Sequence, residues 1–195
     1  IDHYQIEGDL NPSIGNINFE GDISINGHIP NGYHVKSQQN INVSGVVNEA
    51  YITADKDIKV ESGFMGVGSA FVICGGNLSA KYIDNTKITV DGNIIVENEI
   101  ISAKLDSLSV IDCKDAILRG GQARALKGIH LDVLGSDTQI RTLVTAGEDY
   151  RVVQYREENE STLKALTKEE LAINEELSDL KEHPERMAHI SAQQQ

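Results

Sequence analysis

One short phrase recurs through the first three quarters of the chain, and it limits the possible folds more than any other feature. It consists of a small or polar pair, an apolar residue, any residue and a second apolar residue, with Asp or Asn second in the pair. Its copies are Gly21–Ile25, Gln39–Val43, Lys56–Val60, Gly76–Ala80 and Gly92–Val96. Successive Asp or Asn residues are 18, 17, 20 and 16 positions apart. A unit this short cannot bury its apolar face alone, so copies of it must stack.

A second apolar pair lies between successive phrases and predicts a second short strand in each repeat. These pairs are Ile52 and Ala54, Val72 and Cys74, Ile88 and Val90, and Leu108 and Val110. Alternation with period two indicates strands, and the intervening Gly, Asn and Asp residues suit turns. Strands stacked about 4.8 Å apart form parallel sheets. We therefore predict a right-handed parallel β-helix, an all-β solenoid, over residues 1–150. Its internal ladders include Ile41, Ile58, Leu78 and Ile94.

An antiparallel sandwich or barrel is the alternative fold. The near-constant return of one phrase favours the solenoid, because hairpin partners need not resemble each other. The 20-residue step coincides with the glycine-rich segment Ser62–Ser69, which is predicted to be a loop extruded from one coil. That segment resembles a dinucleotide-binding fingerprint, but it lacks the following helix that would hold a pyrophosphate.

Residues 151–195 have a different character and predict an amphipathic helix. No Gly or Pro occurs from Tyr155 to Glu182, and an apolar stripe runs in steps of three and four residues, with Glu170 at the missing position. The stripe consists of Leu163, Leu166, Ile173, Leu177 and Leu180. Thr167–Glu170 fits a capping box and predicts a break there, and Pro184 is predicted to end the helix. The stripe either packs on the solenoid or pairs with another helix. Glu170 favours the second role, a coiled coil.

Net charge limits the partners of this chain, and its cysteine content indicates the compartment. The net charge is −13, and an acidic chain of this kind repels nucleic acid and anionic membranes. No apolar run approaches the roughly 20 residues of a membrane span. The two cysteines, Cys74 and Cys113, are too few for a disulfide framework and occupy apolar positions, which indicates buried side chains in a reducing compartment. Because the chain begins with Ile1, it is expected to start inside a larger protein.

No catalytic, cofactor-binding or metal-binding residues are predicted. The recurring polar residues occupy the same phase of every repeat, which indicates turn chemistry, whereas a catalytic pair should interrupt the repeat. They are Asp22, Asn40, Asp57, Asn77 and Asn93. The six histidines are scattered and form no metal-ligand pair on a recognisable frame.

Several phrases, in order, resemble the bacterial flagellar assembly protein A family. They are Gly15–Ile23, Val43–Ala54, Ala80–Asn85, Arg119–Ala125 and Leu134–Ser136. The resemblance runs from Ile14 to Gly147. The helical tail also fits, since the family places a coiled coil after its β-helix. Gln39-Asn40 departs from the family, which usually has Gly at this point, and a tighter or distorted turn is expected there.

The resemblance implies a non-enzymatic scaffold in the bacterial cytoplasm, at the cell pole near the flagellar base. Its partners would be proteins, or a second copy bound through the helical tail, without nucleic acid, membrane insertion or cofactor. The family's β-helix is similar to that of bactofilins, so a self-assembling structural protein is an alternative. A carbohydrate-active β-helix enzyme is a further alternative, because such enzymes cluster carboxylates.

Overall fold

The computed structural model describes residues 2–68, 70–135 and 140–182, and these contain sixteen strands and one helix. The strands are β1 His3–Glu7, β2 Ile17–Phe19, β3 Asp22–Asn26, β4 His34–Ser37, β5 Ile41–Val43, β6 Tyr51–Ala54, β7 Ile58–Met65, β8 Phe71–Cys74, β9 Leu78–Asp84, β10 Lys87–Val90, β11 Ile94–Ile101, β12 Lys104–Ser107, β13 Val110–Arg119, β14 Gly121–Ala125, β15 Gly128–Leu134 and β16 Thr142–Ala146. The helix is α1, Tyr150–Glu182. Contacts between residues divide the chain after Tyr150 into two units.

The strands form two parallel sheets of eight strands each, and the chain visits them alternately. Sheet A has the order β1-β3-β5-β7-β9-β11-β13-β15, and sheet B contains the even-numbered strands from β2 to β16. Each pair of consecutive strands therefore makes one coil, and the coils stack into a parallel β-solenoid of about eight turns. The predicted parallel solenoid is confirmed. Its right-handed sense remains a prediction that follows from the crossover rule for parallel strands.

The predicted ladder in sheet A is confirmed residue by residue. Ile41 pairs with Ile58, Ile58 with Leu78, and Leu78 with Ile94. All four side chains are fully buried. The repeat spacing read from the sequence is therefore the strand register, because equivalent apolar positions in successive coils point to the same interior.

The interior ladder of sheet B was predicted correctly for three coils and wrongly for a fourth. Ile52, Val72 and Ile88 lie in register, but the next member is Leu105, not Leu108. The second position of that pair is Ser107, where Val110 was expected. Ser107 is fully buried, and its hydroxyl donates to the Gly92 carbonyl at 2.8 Å and accepts from the Ser109 N–H at 2.9 Å. Because both hydrogen bonds are made, this polar residue occupies an interior position.

Gln39 makes the same kind of turn as Ser109. The Gln39 N–H donates to the buried Ser37 hydroxyl at 2.9 Å, and Ser37 occupies the position in its coil that Ser107 occupies in another. A serine two residues earlier supplies the hydrogen bond that closes this turn, and the tighter or distorted turn expected at Gln39-Asn40 stays a prediction.

A third interior ladder was missed by the sequence reading. It begins with Ile29, Val47 and Phe64, and continues through Ile83, Ile100 and Leu118. Strand β7 runs from Ile58 to Met65 and reaches this ladder after a register shift between Val60 and Gly63. The expected loop is therefore wrong for Ser62–Met65, and Phe64 is fully buried. Within Ser62–Ser69, Gly66–Gly68 lie outside a strand, and Ser69 lies outside the described residues.

The helix α1 begins at Tyr150, one residue before the segment predicted to be helical, and runs without interruption to Glu182. The break predicted at Thr167 is wrong. The Thr167 hydroxyl donates to the Leu163 carbonyl at 2.8 Å, one turn earlier, and therefore does not cap a new helix. Pro184, which was predicted to end the helix, lies outside the described residues.

Candidate interaction surfaces

Four members of the apolar stripe are exposed along α1. Leu163, Leu166, Ile173 and Leu177 are 65%, 57%, 50% and 47% exposed. We call these four residues, with Leu180, the seam; the side chain of Leu180 lies outside those that are described. The helix has 33 residues and is about 50 Å long at 1.5 Å per residue. The seam therefore exposes apolar side chains to solvent over several turns of the helix.

The helix is acidic and contains three exposed apolar residues that the seam does not include. Tyr150–Glu182 contains nine acidic and five basic residues. Val152, Tyr155 and Leu171 are exposed but lie outside the seam. A search for steps of three and four alone overlooks them. The helix thus offers one regular apolar edge on a negatively charged surface.

The outer face of sheet B carries a row of aromatic and basic side chains. His34, Tyr51, Phe71, Lys87 and Lys104 are in register on successive strands. The first two rings stack with centroids 4.5 Å apart, and the first lysine lies 5.0 Å from the phenylalanine ring centroid. These residues are far apart in sequence, so no run of basic residues revealed them. Aligning the repeats in register would have placed them in one column.

A buried ion pair lies further along the same outer face. Asp106 and Arg124 lie on neighbouring strands, and their Oδ1 and Nε atoms are 2.8 Å apart. Both residues are buried although their strand positions face outward. Glu148 lies 3.8 Å from Arg124 Nη1, and the Tyr150 hydroxyl donates to Asp91 Oδ1 at 2.9 Å. The segment that leaves β16 therefore lies against this face of the solenoid.

The recurring Asp and Asn residues form a continuous hydrogen-bonded column along one corner. Asp22 Oδ1 accepts the Asn40 N–H at 3.1 Å, Asn40 Oδ1 accepts the Asp57 N–H at 3.1 Å, and Asp57 Oδ1 accepts the Asn77 N–H at 2.6 Å. The column continues through Asn93. The Asn40 N–H and side-chain amide hold the pKa of the Asp22 carboxyl below its usual range. The predicted turn role is confirmed, because each side chain binds the backbone of the next coil.

The two cysteines are buried inside the solenoid, as predicted. Burial raises the pKa of the Cys74 thiol to about 11 and that of Cys113 to about 12. Cys74 also donates to the Lys56 carbonyl at 3.0 Å. At neutral pH both groups remain protonated, so neither is suited to nucleophilic catalysis.

Three of the described histidines each contact a different residue. His28 Nδ1 accepts the Val46 N–H at 2.9 Å, His34 stacks on Tyr51, and His130 lies 3.8 Å from Asp112. Residues 2–68, 70–135 and 140–182 contain no cluster of His, Cys, Asp and Glu side chains that fits a metal ion. Within the same ranges, no helix is long and apolar enough to span a bilayer.

These features define a β-solenoid domain followed by a long amphipathic helix. The family model for the flagellar assembly protein A β-solenoid domain matches residues 2–195 of the sequence, so the chain belongs to that family. The match extends beyond the segment of resemblance, Ile14 to Gly147, and includes the helix. The family is not known as an enzyme family. No curated protein and no solved structure is similar enough to the chain to count as a match.

Proposed function

We propose that this chain is a non-enzymatic protein-interaction scaffold for assembling or placing bacterial flagella. The observation that carries the proposal is the exposed seam of α1, since an uncovered apolar surface of this regularity is typical of protein-binding sites. The solenoid, with three interior ladders, supplies a stiff body in the same chain. Membership of the flagellar assembly protein A family supports the cellular process.

The partner of the seam is a helix, supplied either by a protein of the flagellar system or by a second copy of the chain. Leu163 and Leu166 occupy heptad positions a and d, and Glu170 occupies the next a position. In a parallel pair, Glu176 at position g faces Lys181 at position e of the partner helix. A carboxylate on the seam lowers the stability of the pair, because association takes it out of water.

The proposed setting is the bacterial cytoplasm, at the pole near the flagellar base. We also propose that the scaffold works without nucleic acid, membrane insertion, metal or cofactor. The net charge of −13 supports the absence of nucleic-acid binding. The Asp and Asn column supports a non-enzymatic role, because its side-chain oxygens accept hydrogen bonds from the next coil.

The test is complementation of a strain that lacks the gene. Wild-type protein should restore flagella, and Ile173→Lys/Leu177→Lys should not, because two charges on the seam oppose helix pairing. The matched control is Leu171→Lys, which adds a charge to an equally exposed leucine outside the seam. Flagella are counted by electron microscopy, and protein level and melting temperature are measured for each variant.

The proposed role of the seam fails if the double variant is folded, accumulates normally and restores flagella. A second variant tests the seam in the opposite direction. Glu170→Leu completes the heptad stripe, so it should strengthen association through α1, measured by sedimentation at several concentrations. Weaker association in Glu170→Leu would contradict the heptad assignment.

A further inference from the structure

The two sheets of the solenoid differ in the sign of their charge. The strands of sheet A contain nine carboxylates and four Lys or Arg residues. Those of sheet B contain one carboxylate and four Lys or Arg residues. The carboxylate of sheet B, Asp106, is paired with Arg124 at 2.8 Å. In a protein with a net charge of −13, the outer face of sheet B is therefore a local cationic surface.

Two lysines of this outer face are available to a ligand. Lys36 and Lys87 are exposed, and neither forms an ion pair with another of the described residues. On sheet A, by contrast, the exposed Lys59 pairs with Glu61 at 3.5 Å. Because the ammonium groups on sheet B have no carboxylate of their own, an added anion gains their full attraction.

The carboxylates next to this face lie at the corners of the coils. Glu20, Asp55 and Asp91 each come directly after a strand of sheet B, where the chain leaves the sheet. Asp91 also accepts a hydrogen bond from the Tyr150 hydroxyl at 2.9 Å. Glu49 lies two residues before β6, on the side where the chain enters the sheet. The strands between these corners, from β4 to β10, carry no carboxylate.

Two aromatic rings of the face turn their edges to solvent. The His34 and Tyr51 rings stack with centroids 4.5 Å apart and planes inclined by 21°. This separation matches the spacing of about 4.8 Å between neighbouring strands, so the ring faces point along the solenoid axis toward adjacent coils. The edge of an aromatic ring carries partial positive charge. These ring edges therefore add to the attraction that the lysines have for an anion.

The same features favour an acidic peptide over a sugar chain or a nucleic acid. Nucleobases and sugars pack on ring faces, and the faces that His34 and Tyr51 turn toward each other are already covered. A long polyanion would also meet repulsion from the rest of this acidic protein. A short segment can instead place carboxylates near Lys36 and Lys87 and an apolar side chain against Tyr51 and Ile73, which are 41% and 40% exposed. A depression of about 310 Å³ beside Tyr51 has room for such a side chain.

We propose that the outer face of sheet B, from β4 to β10, is a second protein-binding surface and takes an acidic peptide segment of a partner protein. Carboxylates of the segment contact the two free lysines, and one of its apolar side chains packs beside Tyr51. This surface is separate from the seam of α1 and does not depend on it. We call it the cationic face; it consists of His34, Lys36, Tyr51, Phe71, Ile73 and Lys87.

The test selects peptides from a displayed random library on the whole chain and screens them on two charge-reversal variants. Lys36→Glu/Lys87→Glu removes the proposed contacts. Lys59→Glu/Lys81→Glu is the matched control, because it makes the same change of charge at exposed lysines of sheet A. Peptides lost only on the first variant should be rich in Asp and Glu. Any peptide that binds the seam is retained on both variants and is thereby set aside.

A selected peptide is then labelled and titrated with each protein by fluorescence anisotropy. Its Kd should rise about tenfold in Lys36→Glu/Lys87→Glu, because two attractions become repulsions, and should be unchanged in the control. Replacing the carboxylates of the peptide with amides should weaken binding to the wild-type chain by a similar factor. This second comparison does not depend on the folding of any variant.

Several results would overturn the proposal. A selection without acidic peptides would do so, and so would equal weakening in the control, since net charge alone would then explain the binding. Polygalacturonate or single-stranded DNA that binds the cationic face more tightly than the selected peptide would assign the face to another class of ligand. Tighter binding of a synthetic Tyr150–Glu182 peptide would assign it to α1 of a second copy.

Discussion

Ile94 and Ile95 are neighbours on β11 and provide an internal test of the ladder. Ile94 is fully buried between Leu78 and Ile111, whereas Ile95 points outward and is 45% exposed. Substituting each with Ala makes the same chemical change at adjacent positions on opposite faces of one strand. The difference between the two variants therefore isolates interior packing from strand propensity.

The expected magnitudes follow from burial. Ile94→Ala removes three carbons from the core, worth about 2.4 kcal/mol at ~0.8 kcal/mol each. The cavity between two ladder neighbours raises the loss of unfolding free energy to about 3–5 kcal/mol. Ile95→Ala loses about half of the transfer contribution and leaves no enclosed cavity, so about 1 kcal/mol is expected.

Urea denaturation followed by circular dichroism measures both variants against the wild type. The dependence of the unfolding free energy on urea should be unchanged, which checks that each variant unfolds over the same length of solenoid. A solenoid sums interactions between neighbouring coils, so a partly melted state would lower this slope. Equal losses for Ile94→Ala and Ile95→Ala would refute the assignment of inward and outward positions.

Three further predictions concern polar and titratable groups. Because hydrogen bonds in the folded state lower the pKa of Asp22 from its usual 3.8, its carboxylate contributes stability that is lost as pH falls through the folded pKa. Asp22→Asn should therefore show a smaller drop in melting temperature than wild type between about pH 5 and about pH 3; an equal drop would contradict this origin. Cys74 and Cys113 should resist a thiol reagent at neutral pH and react fully in denaturant; fast labelling of native protein would contradict their burial. Arg124→Met leaves Asp106 as an unpaired buried charge and should cost about 3–5 kcal/mol, and Asp106→Leu in the same protein should recover most of it in urea denaturation. No recovery would show that the loss comes from packing.

The repeat could be predicted from the sequence because the interior imposes one requirement on every coil. A parallel stack places equivalent positions of successive coils in contact, so Ile41, Ile58, Leu78 and Ile94 meet the same apolar environment and are chemically alike. The corner column needs a side-chain oxygen at one phase, and Asp or Asn recurs there. In both cases residues of the same chemical type recur at the positions that the fold places in register.

The features that only the tertiary structure decided depend on contacts between segments whose sequences do not repeat. Ser107 occupies an apolar ladder because the Gly92 carbonyl lies within reach of its hydroxyl. Phe64 joins a core ladder because a register shift turns β7 around a corner. Asp106 and Arg124 are buried at outward positions beside Glu148, a contact that no local pattern encodes. The sequence by itself therefore determined the repeating coil and the ladder of sheet A, whereas the third ladder and the burial of polar groups required the assembled solenoid.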